Sequence, residues 1–249
     1  MTRRRFPVGK TLLYVFMSLW ALTTIYPFIW VILNSFKPRG LIRSDTFSLP
    51  IGDKFTLENY VTAFKRVDIG TAYVNSIVIS GAVTVVVMVL AGLAAYAMVR
   101  YSFRLRGFLH SMIIASMMFP VFSTIIPVFR MESSWGIVNT GSIWLTRLSV
   151  VLPQIAGNLS FAIIVLMGFI RSLPVDLEEA AYLEGYNVYQ IFFRIIMPLA
   201  KPSFATVGIF TFLWSYNDLF LQMFFLRSKK FFTITRLLNE ISSQAGTNY

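Results

Sequence analysis

Residues 69–99 read IGTAYVNSIVISGAVTVVVMVLAGLAAYAMV, and no lysine, arginine, aspartate or glutamate interrupts them. A helix needs about 20 predominantly apolar residues to cross about 30 Å of hydrocarbon, so this block is long enough to span a membrane. Three more blocks have the same property: Thr11 to Phe36, Gly107 to Phe129 and Leu148 to Ile170. A fifth, Pro202 to Leu226, contains a single acid, Asp218. None shows the strict alternation of a membrane β-strand. The expected fold is all-α, a polytopic transmembrane helical bundle with five spans. Composition agrees, with 56% hydrophobic residues, a mean hydropathy of +0.68 and 13% charged residues, against about 25% charged in soluble domains.

Several function classes drop out. Without cysteine there is no disulfide framework or thiolate metal site. His110 is the sole histidine, and no His/Cys/Asp/Glu set has metal-ligand spacing. A net charge of +11 would suit a nucleic-acid binder. In a membrane chain, however, bases flank the spans and set orientation, so no nucleic-acid partner is expected. The basic N-terminus, TRRRFPVGK, resembles the start of a secretory signal, but the apolar run after it exceeds the roughly 7–15 residues of a signal core. It is read as a retained first span. The sequence has no G-x-x-x-x-G-K-[ST] phosphate loop, so any ATP would be bound by another chain. No internal repeat of the secondary-transporter kind is visible either.

Flanking Lys and Arg set topology. Arg3, Arg4, Arg5 and Lys10 place the N-terminus in the cytoplasm, and Arg100, Arg104 and Arg106 agree two crossings later. Residues 130–147 then lie outside and 171–201 inside. The outer loop, residues 37–72, dissents, because six bases lie between Lys37 and Asp68 alongside four acids. Within it, Leu57, Tyr60, Val61 and Phe64 fall at i, i+3, i+4 and i+7, the spacing of a short helix with one apolar face. That face suits the membrane interface or a docked partner. Trp20, Tyr26, Trp30, Trp135 and Trp144 fall near span boundaries, where such residues anchor membrane proteins.

Residues 178–202, EEAAYLEGYNVYQIFFRIIMPLAKP, form a polar cytoplasmic interruption between the fourth and fifth spans. Leu173-Pro174 marks a helix start, and Asp176 with Glu179 has capping-box spacing. Gly185 ends that helix, Asn187 with Gln190 can cap a second running to about Ile196, and Pro198 and Pro202 disfavour continuation. The charges could simply keep a solvated loop out of lipid. Alternatively, small Ala180 and Ala181 let the first helix seat against another surface.

Asp218 needs separate weighing, since an acid at the centre of a span costs about 2.5–3.5 kcal/mol. With Trp214 and Asn217 it could face a sugar path. A plainer reading is an interfacial acid, or a partner for Arg227 or Lys229. In a stand-alone secondary transporter or channel, Asp218 would be the ion site. A membrane enzyme lacks any acid–base or metal constellation here.

The spacing Glu179-Ala180-Ala181, three residues, Gly185, nine residues, Ile195, one residue, Met197-Pro198 resembles the E-A-A-x3-G-x9-I-x-L-P signature of ABC-importer permeases. Met197 replaces the usual leucine. Glu184 stands for the usual aspartate and Tyr186 for a usual small residue, which puts the local fit to the partner in doubt. Further segments, in order, resemble the carbohydrate-uptake permeases of the maltose-transporter type. They are SFKP (Ser35–Pro38), FTLENY (Phe55–Tyr60), NS (Asn75-Ser76), AAYAMVRYSFRLRG (Ala94–Gly107), IIPVF (Ile125–Phe129), GIVNT (Gly136–Thr140) and FLWSYNDLF (Phe212–Phe220).

The resemblance implies a single permease domain over residues 1–249, of the type I ABC importer kind, in a bacterial or archaeal cytoplasmic membrane. Its hairpin, residues 171–201, would couple to an ATPase through Glu179, Ala180, Ala181, Gly185, Ile195 and Pro198. The implied partners are a second homologous permease, two ATP-binding subunits, an extracytoplasmic solute-binding protein, a sugar and membrane lipid. ATP and Mg would sit in the ATPase, leaving this chain neither enzyme nor cofactor binder. Such permeases end with a sixth span, and TRLLNEISSQAGTNY (residues 235–249) is too polar and short to supply it. Five spans with an inside N-terminus would leave Tyr249 outside, so the expectation is a chain shortened at its C-terminus rather than a natural five-span member.

Overall fold

The computed structural model describes residues 8–246, and within them the regular elements are helices. Arg3, Arg4 and Arg5, the first basic cluster of the topology argument, lie outside the described residues. So does Tyr249. Two compact units form, Met1–Asp68 and Ile69–Tyr249.

The first unit contains α1 (Val8–Ser35), α2 (Arg39–Ser44) and α3 (Glu58–Arg66). α1 is apolar on all sides and its side chains are almost entirely exposed, as suits a helix whose solvent is lipid. Beyond it, the SFKP and FTLENY segments fold onto one another. The amide of Asn59 donates to the carbonyls of Ser35 (2.9 Å) and Lys37 (2.7 Å), and the Tyr60 hydroxyl meets the Ser35 hydroxyl at 2.6 Å. The Phe36 ring stacks on Phe55 at 5.5 Å. Lys37 is fully buried, and its ammonium donates to the carbonyls of Asp45 (3.0 Å) and Thr46 (2.8 Å). Lys54 pairs with Asp45 at 2.6 Å, and that hydrogen bond is the main reason the Asp45 carboxyl is held below its ordinary range. Two of the six dissenting bases therefore have structural work within the loop. The expected helix is α3, with Leu57, Val61 and Phe64 about half exposed or more.

The second unit is organised around α4 (Ile69–Arg100), which packs along α7 (Ile143–Ser172) and α11 (Lys201–Asn217). Its buried face intersperses small residues, Ala72, Ser76, Ser80, Ala91, Gly92 and Ala95, among larger ones such as Ile79, Val83, Val87 and Tyr96. Lipid tails are as apolar as leucine, so membrane helices associate by close van der Waals packing, which small residues permit. At Gly92 an added Cβ would lie 2.8 Å from the Phe204 ring and 3.1 Å from the Phe192 ring.

All five apolar blocks are helical, but two are interrupted. Residues 107–129 fall in α5 (Arg106–Ser116) and α6 (Val121–Ser134), separated by a turn at Met117–Pro120. Pro120 has no amide proton and disfavours the helical conformation in Phe119, so the helix restarts after it. Residues 202–226 divide between α11 and α12 (Leu219–Phe225), with Asp218 in the break. Three helices, α1, α4 and α7, are each long and apolar enough to cross a membrane alone. Between α7 and α11 come α8 (Asp176–Leu183), α9 (Val188–Ile191) and the single turn α10 (Met197–Leu199). The last helix is α13 (Ile234–Gly246). Val188–Leu199 meets Lys201–Asn217 at 81°, and this bent pair would make a fourth span if counted as one.

The NS pair holds the segment entering α13. The Asn75 amide donates to the Phe232 carbonyl (3.0 Å) and its oxygen accepts from Arg147 (2.9 Å), while Ser76 accepts from the Ile234 amide (2.8 Å).

Candidate functional site: the hairpin between α7 and α11

The chain leaves α7 through Leu173 in an extended conformation, then Pro174, and α8 begins at Asp176. The expected Asp176–Glu179 capping box does not form. Val175 occupies the N-cap, so Asp176 already lies inside the helix, one position too late to cap it. Asp176, Glu178 and Glu179 still place three carboxylates in the first turn, at the positive end of the helix dipole.

Gly185 ends α8 at φ +85°. Its amide donates to the Tyr182 carbonyl and the Tyr186 amide to the Ala181 carbonyl, each at 3.0 Å. This paired closure needs a left-handed residue at the glycine position. The second cap forms as the spacing indicates. Gln190 N–H donates to Asn187 Oδ1, and Asn187 N–H donates back to Gln190 Oε1, both at 2.9 Å. After α9, residues Phe192–Ile196 widen into a π turn before α10. Pro198 and Pro202 lie close by, and neither can supply a backbone donor to a regular helix.

The two faces of α8 differ. Glu178, 4% exposed, and Ala181 point into the unit. Glu179, Ala180 and Glu184 are exposed, with Leu183 90% exposed and Tyr189, on α9, 70% exposed. Of the remaining signature positions, Ile195 is half-buried in the π turn, while Pro198 and Gly185 are exposed.

Sequence reasoning centred on Glu179 and missed its neighbour. Glu178 Oε2 accepts from the Tyr96 hydroxyl at 2.8 Å, and Oε1 accepts from Arg100 Nε at 2.5 Å. Arg100 also donates through Nη2 to the Leu173 carbonyl (2.9 Å), so one guanidinium holds both α8 and the residue leading into it. Nearby, the hydroxyls of Tyr101 and Tyr182 meet at 2.9 Å. The signal available was helical phase: Glu178, Ala181 and Tyr182 fall at i, i+3 and i+4.

Trp214, Asn217 and Asp218 each have partners of their own. Trp214 is 47% exposed and packs its ring on Phe161 at 4.8 Å. Asn217 donates back to the Leu213 carbonyl (2.8 Å). Asp218 caps α12, accepting from the Leu221 amide at 3.1 Å, and accepts from Gln154 Nε2 at 3.1 Å. Neither Arg227, whose guanidinium lies over the Phe129 ring, nor Lys229 pairs with it among the described residues. Gln154 in turn accepts from Ser215 at 2.6 Å, so the carboxylate joins a polar network that ties α11 and α12 to α7.

The hairpin holds no reacting constellation. Among the described residues, no three of His, Cys, Asp and Glu converge as metal ligands. It presents an exposed, partly apolar tip on a base fastened by a buried ion pair.

Comparison with known proteins bears on this arrangement. The model for the family described as "Binding-protein-dependent transport system inner membrane component" matches residues 88–247, which include the whole hairpin. The diacetylchitobiose uptake system permease protein NgcG of Streptomyces coelicolor is 35% identical over 84% of this chain and 67% of its own length. The trehalose transport system permease protein SugB of Mycobacterium tuberculosis is 33% identical over 80% of this chain and 69% of its own. A solved bacterial ABC transporter involved in the import of the acidic polysaccharide alginate has a chain that superposes with a TM-score of 0.80. That match is 22% identical, covers all of this chain and 88% of the other, and shows a shared fold.

Proposed function

The chain belongs to the family of binding-protein-dependent transport system inner membrane components, and from that premise we propose that it is the membrane permease subunit of an ATP-driven sugar importer. It forms half of the translocation path beside a second homologous permease. Two ATP-binding subunits dock on the hairpins, and hydrolysis, with its ATP and Mg, belongs to them. An extracytoplasmic solute-binding protein delivers the sugar. The N-terminus faces the cytoplasm of a bacterium or archaeon. The names of NgcG and SugB, both saccharide permeases, support the substrate class.

The observation that carries the reading is the two-faced hairpin. Leu183 and Tyr189 expose apolar surface on a protrusion whose other face is buried, as expected of a part that awaits a protein partner. Glu179, Ala180, Ala181, Gly185, Ile195 and Pro198 shape that protrusion. ATPase closure displaces it and shifts the spans between inward- and outward-open arrangements. On the substrate side, Trp214 has a half-exposed ring that could stack on a sugar, near Asn217 and Asp218. A stand-alone carrier using Asp218 as its ion site is less well supported, because that carboxylate already caps α12 and holds Gln154.

Gly185→Val tests the coupling role. Within this chain an added Cβ would meet nothing within 4 Å, so the strain the substitution brings is in the backbone. A β-branched residue resists positive φ, and left-handed residues cost about 1–2 kcal/mol. The expected result is an assembled transporter with reduced uptake and reduced ATPase stimulation. Unchanged values of both would remove the hairpin from the mechanism.

A further inference from the structure

We propose that the hairpin drives α4 directly, through a strut made of Glu178, Arg100 and Tyr96, and that α8 and the C-terminal end of α4 remain one body as transport cycles. This rests on the coupling reading above and adds where the force goes.

The covalent routes out of the hairpin are soft. Towards α7 the chain passes through extended Leu173 (φ −79°, ψ 133°) and Pro174. Towards α11 it passes through the π turn at Phe192–Ile196 and then the 81° bend. A displacement of α8 can be absorbed at each of these joints, since hinges are loop or element-terminal residues that take up changes in φ and ψ.

The through-space route is stiff. Both oxygens of Glu178 are engaged, one by Tyr96 and one by Arg100, and the carboxylate is almost fully buried. Away from water such bonds are stronger, and a close-packed interior transmits strain rather than yielding. Arg100 reaches past Glu178 to the Leu173 carbonyl, which prevents α8 from pivoting about its own N-terminus. The second arm is held by the same stretch of α4: the Tyr96 ring lies 5.6 Å from the Phe192 ring, and Gly92 makes room for Phe192. Residues 92–100 of α4 therefore hold both arms, and α4 is the helix that α7 and α11 pack against.

The chain has no cysteine, so Tyr101→Cys with Tyr182→Cys introduces its only two thiols. Their hydroxyls now meet at 2.9 Å, so the two thiols would face each other across the space the phenol rings leave, and a cleavable bismaleimide long enough to span that space joins them. The complex with its ATP-binding subunits is placed in lipid vesicles, and phosphate release is read with ATP alone as substrate. If hairpin and α4 move together, the cross-linked complex hydrolyses ATP at the uncross-linked rate. Arrest on cross-linking, relieved when the linker is cleaved, would overturn the strut.

A second variant, Arg100→Leu with Glu178→Leu, removes the strut without leaving a buried charge. It should bind the ATPase and hydrolyse ATP. Stimulation by the solute-binding protein, carrying the sugar it purifies with, should fall by about tenfold or more, within the ordinary range of site-to-site coupling. Undiminished stimulation would also overturn the strut. ATPase co-purification separates the two claims: subunits that stay bound after Leu183→Arg overturn the coupling reading. Arrest on cross-linking, with those subunits bound, overturns only the strut.

Discussion

Arg100→Leu is expected to destabilise the second unit by about 3–5 kcal/mol, the penalty for stripping a buried charge of its partner. The carboxylate of Glu178 would stay in place, 4% exposed, with only the Tyr96 hydroxyl left to it. The Leu173 carbonyl would lose its donor as well. Replacing both Arg100 and Glu178 by leucine should recover most of the loss, because removing both partners also removes the desolvation penalty. A denaturant titration of the detergent-solubilised permease, followed by tryptophan fluorescence, reads both variants. A single variant as stable as the parent would mean that water reaches the pair, contrary to its burial.

Gly92→Leu is expected to be damaging as well, because it acts where three elements meet. Even a bare Cβ would stand 2.8 Å from Cζ and 2.9 Å from Cε1 of Phe204. Aromatic rings cannot bend aside as a thioether can, and both Phe192 and Phe204 are buried. Overpacking a close-packed core costs about 1–3 kcal/mol for a few methylenes, and a leucine here would separate α4 from α11 and from the hairpin. The expected observation is loss of monodisperse protein on size-exclusion chromatography. Gly208 supplies the contrast. A Cβ there would meet the Met88 sulfur at 3.1 Å, and that side chain is flexible, so Gly208→Ala should be tolerated.

Much of this was legible in the sequence. The apolar blocks gave the helical class, because span length is fixed by bilayer thickness and no tertiary information is needed to see it. Gly185 and the Asn187–Gln190 cap were legible for a related reason, since caps are local chemistry within a few residues. The breaks at Pro120 and Asp218 were harder. A window of apolar residues does not register a single residue that redirects the backbone, and Asp218 reads as a misplaced charge until it is seen capping α12. The Glu178–Arg100 pair was hidden by its separation along the chain, the partners standing 78 positions apart. Lys37 was misleading for a physical reason. A base buried on two carbonyls contributes nothing to topology, yet counting cannot distinguish it from one that flanks a span.

The account depends most on what touches the exposed tip of α8. Leu183→Cys, the only thiol in the chain, can carry a maleimide-linked benzophenone, and irradiation of the assembled complex in lipid vesicles then reports its neighbour. The account predicts an adduct with an ATP-binding polypeptide, lost when that subunit is stripped away. Adducts with lipid alone, while the ATP-binding subunit remains bound, would contradict it.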